Sequence, residues 1–168
     1  DMLDKVQRAG LNAVEIGTGG NPGNNHCPTD ELLESEEKRA AYLDELKKRN
    51  LTISAFSCHS NPISPDPKEA KASDEILRKT IRLAALMGVP VVNTFSGTAG
   101  DSEEATAPNW PVIPWPEVYT DIYKWQWENK LIPYWKEIGE MASEYGVKIG
   151  IELHGGFLCH TPYTLLKL

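Results

Sequence analysis

Polar, helix-like segments alternate with short apolar runs, and the alternation occurs four times along the chain. Each polar segment ends at Gly or Asn, and an apolar run follows: Gly10 before LNAVEIG, Asn50 before LTISAFSC, Gly88 before VPVVNTFS and Gly146 before VKIGIELH. Gly and Asn adopt the left-handed conformation that closes a helix C-terminus, so each junction predicts a helix end and a strand start. The junction residues stand 40, 38 and 58 residues apart, so the third interval holds an insertion. Strands alternating with helices at this spacing predict βα units and a parallel sheet.

The helices have readable starts. Ser73 is expected to cap a helix with Asp74 and Glu75 in its first turn and Leu77, Ile81 and Ala84 on its inner side. Residues 36–49 read as a charged helix with Ala40, Leu43 and Leu46 inward, and 129–145 as a helix with Ile138, Met141, Ala142 and Tyr145 at helical spacing. Pro133 is expected to start or kink the latter. Thr161 followed by Pro162 reads as an N-cap and first turn. The insertion, at about 97–135, holds all five Trp and five of the twelve Pro between Pro108 and Trp135. It leaves the C-terminal end of the third strand, where βα proteins carry function. A lid or pocket wall and a packed surface excursion are equal readings of it.

Composition narrows the class. At 168 residues, 40% hydrophobic and 24% charged, the chain has globular values and no apolar run of membrane-spanning length. Its net charge of −7 argues against a nucleic-acid surface, which needs clustered Lys and Arg. Three cysteines without a CxxC exclude a disulfide framework and a zinc ribbon, and suit a reducing cytoplasm. GTGG after the first strand lacks the order of a dinucleotide loop, and neither GxSxG nor HExxH is present.

Polar residues collect at strand ends. Alternation along 147–154 puts Val147, Ile149, Ile151 and Leu153 on one face and Lys148, Gly150, Glu152 and His154 on the other. A strand with one small, charged face suits a barrel wall whose inner side ends in Glu152 and His154. A carboxylate there needs a partner, so Glu152 with His154 reads as a metal or acid–base pair, or Glu152 as an ion-pair partner of Lys148 or another strand. Glu15 and Asn93 lie on the first and third strands, and His26, His59 and Asn61 at or beyond strand ends. Strict alternation from Leu51, Ile53 and Ala55 puts His59 on the helix side, although a bulge would reverse this. The three Cys, each beside a His, read as small buried hydrophobes.

GLNAVEIGTGG, LTISAFSCHSNPISPDP, NWPVIPWPE with DIYKWQWENKLIPYWKEIGE, and VKIGIELHGGF together resemble the sugar phosphate isomerase/epimerase family, the xylose isomerase-like TIM barrels. The resemblance covers nearly the whole chain. It implies a (β/α)8 barrel, present here as about strands 2 to 5, in one partial-barrel domain over 1–168. It implies a divalent metal (Mn, Mg, Co or Zn) at the barrel mouth, with Glu152 as metal ligand and catalytic group and His154 as a catalytic group beside it. His59, Asn61, Glu15, Asn93 and Trp110 are the expected substrate-binding residues. Relatives often read HPGF where this chain has His154-Gly155-Gly156-Phe157. The implied activity is metal-dependent isomerisation or epimerisation of a sugar or sugar derivative by proton or hydride transfer. A non-catalytic or truncated sugar-binding fragment is the alternative, and a metal-dependent abasic-site endonuclease a further one. The expected partner is a small sugar, with neither nucleic acid nor membrane. Exposed sheet edges are expected, or edges covered by a partner chain in a homo-oligomer.

Overall fold

The computed structural model describes residues 2–168. Strands β1 (Ala13–Gly17), β2 (Thr52–Ser57), β3 (Val91–Phe95) and β4 (Lys148–Glu152) form one sheet in chain order, every neighbouring pair parallel. The helices are α1 (Met2–Arg8), α2 (Thr29–Glu34), α3 (Glu36–Lys47), α4 (Pro67–Met87), α5 (Val118–Gln126), α6 (Ile132–Glu144) and α7 (Pro162–Lys167). A parallel sheet that advances one strand per crossover is the winding of a (β/α)8 barrel, and four of its strands are here. All four predicted junctions are left-handed, with φ of 75° at Gly10, 55° at Asn50, 68° at Gly88 and 67° at Gly146.

The sheet has two unlike faces. Ile16, Phe56 and Val92 lie side by side on the outer face in a core completed by Leu77, Ile81 and Ala84 of α4 and Ile138 and Ala142 of α6. The inner face carries Glu15, Ser57, Asn93, Gly150 and Glu152. On β2 the register slips: Ile53 pairs with Val14 but Ala55 pairs with Glu15, which leaves Ser54 unpaired. One extra residue reverses the alternation, so Ile53 faces outward while Ala55 and Ser57 face inward.

Three expectations about the helices are corrected. The cap of α4 is Asp66, whose carboxylate accepts from Lys68 N, with Pro67 in the first turn; Ser73 lies two turns inside the helix, buried. On α3 the inward residues are Leu43 and Leu46, whereas Ala40 is exposed. The helix expected from 129 begins at Val118 and runs through a wide π-turn, Trp127–Leu131, into α6. Pro133 follows that turn: it has no N–H and its ring crowds the preceding turn, so the helix widens ahead of it. The buried stripe is Trp127, Leu131, Trp135, Ile138 and Ala142, and Tyr145 is exposed. Thr161 caps α7 as expected, in a capping box with Thr164.

The insertion divides between its two readings. Its helical half is packed, with Trp127 and Trp135 in the core. Its irregular half is pinned by buried Gln126, whose amide donates to the carbonyls of Ala99 (3.1 Å), Gly100 (2.9 Å) and Asn109 (2.7 Å). Its tip keeps Trp110, Ile113 and Trp115 exposed. Among the described residues no helix is long and apolar enough to cross a membrane.

Candidate functional site

At the C-terminal ends of the strands the inner face becomes a cluster of histidines, aromatic rings and one carboxylate. Phe95 and Glu152 are register partners at the tips of β3 and β4. His59, two residues beyond β2, reaches the same level: its Nε2 lies 2.9 Å from Glu152 Oε2. The reversal at Ser54 carries His59 to this side, contrary to strict alternation. Phe95 sits between the histidines, its centroid 4.4 Å from His59 and 4.9 Å from His154, and stacks on Phe157 at 4.3 Å.

The main chain around His59 is held on both sides. The Ser57 carbonyl accepts from Thr18 N and the Thr18 hydroxyl. The His59 carbonyl accepts from Asn21 N at 2.7 Å, and a Cβ on Gly20 would stand 2.3 Å from that oxygen. The glycines of GTGG thus let one loop close on the backbone of another. The imidazole is nearly buried, its Nδ1 lies 2.9 Å from Ser57 Oγ, and its Nε2 has no aligned hydrogen-bond partner.

One layer below, Asn93 Nδ2 donates to Glu15 Oε2 at 2.8 Å, passing over the small residues of β2. Gly150 makes room for this pair: a Cβ there would meet Asn93 Oδ1 at 2.3 Å. Glu15 and Asn93 therefore form a polar floor beneath Glu152.

The remaining candidates make their polar contacts away from the Glu152 carboxylate, whose close histidine is His59, just beyond β2, and not the expected His154. Asn61 is buried and braces two loops, donating to Thr98 O and accepting from Thr98 N, both at 2.9 Å. Trp110 stands at the rim, where its indole N–H donates to Phe157 O at 2.9 Å and its ring meets His160 edge-on. His154 is exposed, with Nδ1 2.6 Å from Gly155 O. At Gly155 a Cβ would meet Trp110 at an ordinary 3.7 Å, so space does not demand glycine there. Ser57, Phe95 and Phe157 complete the site. Phe157 lies in the run VKIGIELHGGF, and Phe95 shares the face of Asn93 by plain alternation on β3, but the role of Ser57 follows from a bulge with no sequence mark.

The cysteines are buried free thiols, and burial pushes Cys27 and Cys58 up to about 11. The Glu152 side chain is half-exposed and has no aligned hydrogen-bond donor among the described residues, so its oxygens can serve as hard donors to a divalent cation. Among the described residues no cluster of three or more His, Cys, Asp or Glu could hold a metal ion. Glu152 therefore fits one position of a cation's shell and no more.

A family model described as the xylose isomerase-like TIM barrel matches residues 3–168. The chain belongs to that family. YfiH of Bacillus subtilis (strain 168) is 39% identical to this xylose isomerase-like chain over 171 residues, covering all of it and 54% of YfiH. A solved D-tagatose 3-epimerase-like protein matches with a TM-score of 0.59 at 22% identity, over 98% of this chain and 53% of its own. A D-psicose 3-epimerase solved in the presence of D-fructose matches with a TM-score of 0.53 at 15% identity, over 93% of this chain and 47% of its own. At these identities the solved structures share the fold. The chain spans about half the length of these relatives.

Proposed function

We propose that the cluster around Glu152 is part of the active site of a metal-dependent sugar isomerase or epimerase. The observation that carries this reading is the buried, unpartnered His59 Nε2 beside the Glu152 carboxylate, at the C-terminal mouth of a xylose isomerase-like barrel sheet. An unpartnered buried nitrogen is a vacant hydrogen bond, and a sugar oxygen that takes the place of the half-exposed Glu152 carboxylate beside it would fill it. The epimerase descriptions of two fold neighbours support the substrate class.

Glu152 would hold the cation through a carboxylate oxygen; a bound divalent cation supplies polarisation of a sugar carbonyl or hydroxyl. His59 donates from Nε2 to a sugar oxygen and keeps it oriented. Glu152 is also placed to hold a proton removed next to the carbonyl. Phe95 and Phe157 close one side of the site to water. The donors that complete a cation shell would come from the remaining strands of the barrel. A cytoplasmic protein without nucleic-acid partners agrees with the buried thiols and the acidic balance.

A second reading, a sugar-binding barrel piece without chemistry, is favoured by the single cation donor. The test uses the whole protein with Mn, Mg, Co or Zn and a panel of aldoses and ketoses in D2O. Metal-dependent conversion read by NMR is expected, with deuterium entering next to the carbonyl for proton transfer and none for hydride transfer. Binding without conversion of any sugar would favour the second reading.

A further inference from the structure

We propose that Ser57 is a positioning residue that fixes which edge of the His59 ring faces the mouth. The proposal rests on the preceding reading only for its kinetic arm.

Most of the freedom of His59 is removed by other contacts. Its main chain is held at the Ser57 carbonyl by Thr18 and at its own carbonyl by Asn21. Phe95 packs 4.4 Å from the ring, tilted by 57°. None of these contacts distinguishes the ring from its flipped form. A half-turn about the Cβ–Cγ bond keeps the shape but exchanges Nδ1 with Cδ2 and Nε2 with Cε1. In the flipped ring a C–H, not a nitrogen, would face Glu152. The one described polar partner of the ring with hydrogen-bond geometry is Ser57 Oγ, 2.9 Å from Nδ1.

The bond also sets where the ring proton sits. Glu152 Oε2, 2.9 Å from Nε2, is a carboxylate oxygen and only accepts. A bare lone pair on Nε2 would face negative charge, so the proton belongs on Nε2 and Nδ1 accepts from the Ser57 hydroxyl. The carboxylate lies off the N–H direction, so the buried Nε2 proton has no partner among the described residues and becomes available to a ligand oxygen once the half-exposed Glu152 side chain moves aside. Ser57 touches no ligand in this scheme. It acts through His59, and it faces inward only because Ser54 is bulged out of the ladder.

The experiment uses the whole protein without added metal, so that Glu152 keeps its charge, and selectively 15N-labelled histidine. Wild type is expected to show His59 as the Nε2–H tautomer. Ser57→Ala should turn it into a mixture, and Ser57→Thr, which keeps the hydroxyl, should restore it. In turnover of whichever sugar the protein accepts, Ser57→Ala should lower kcat/KM roughly tenfold. Ser57→Ala added to His59→Gln should cost nothing further, because the serine acts only through the imidazole. An Nδ1–H tautomer in wild type, a tautomer unmoved by Ser57→Ala, or fully additive losses would each overturn the proposal. Because NMR needs no turnover, a protein inactive on every sugar would count against the proposed function alone, while the tautomer result still decides for or against Ser57.

Discussion

His59 Nε2 and Glu152 Oε2 lie 2.9 Å apart although β3 runs between their strands. Phe95, the register partner of Glu152, makes this contact possible: His59 leans on its ring from one side and His154 from the other. Replacing Phe95 with Ala should remove the wedge, cost about 2 kcal/mol on denaturant unfolding, and free both histidines. A variant within a few tenths of a kcal/mol of wild type would mean that Phe95 supports neither histidine.

Gly150→Ala should be destabilising by about 1–3 kcal/mol, because its Cβ would fall on Asn93 Oδ1 and drive Asn93 off Glu15. Adding Asn93→Ala should recover part of that loss, since the clash partner is gone. Urea unfolding of the two single variants and the double variant checks this through their non-additivity.

Gln126→Ala should strip two buried carbonyls and one part-buried carbonyl of one shared donor. A loss of about 1–3 kcal/mol is expected. Hydrogen exchange should show faster opening confined mainly to residues 97–116, while strand amides keep their protection.

The thiols should be inert in the native protein. Cys27 and Cys58 are pushed up to about 11 by burial, from an ordinary 9.0. Above pH about 9 the unfolded chain therefore sheds thiol protons that the native chain keeps, so stability falls as pH rises from there toward 11. Tyr42 and Tyr134, also raised by burial, act in the same direction at higher pH. The prediction is no labelling by a thiol reagent at pH 8 until denaturant is added, and a midpoint of urea unfolding that drops between pH 9 and 11.

Much of the fold was legible because it rests on local chemistry. Gly10, Asn50, Gly88 and Gly146 are left-handed helix closures, and their spacing alone gives four βα units. Glu152 was readable at the mouth because β4 alternates without interruption. Alternation alone puts His59 on the helix side, since nothing in TISAFS marks the bulge at Ser54 that reverses β2; only the family resemblance pointed it to the mouth. The start of α4 was misread because Ser73 and the acids after it imitate a cap, whereas Asp66-Pro67 earlier provides the real one. Asn61 looked like a ligand contact from its place at a strand end. Only the geometry gives both ends of its amide to Thr98.

The central claim is that Glu152 belongs to the reacting centre of a sugar isomerase or epimerase. Glu152→Gln is nearly isosteric, and the Glu152 side chain is half-exposed, with its one close contact, 2.9 Å to His59 Nε2, at the mouth and away from the core. The direct measurement is kcat/KM of wild type and Glu152→Gln whole protein on the sugar that wild type converts, with unfolding midpoints compared. A fall of about 10²–10⁴-fold at unchanged stability is predicted. Equal activity in the two proteins would contradict the account.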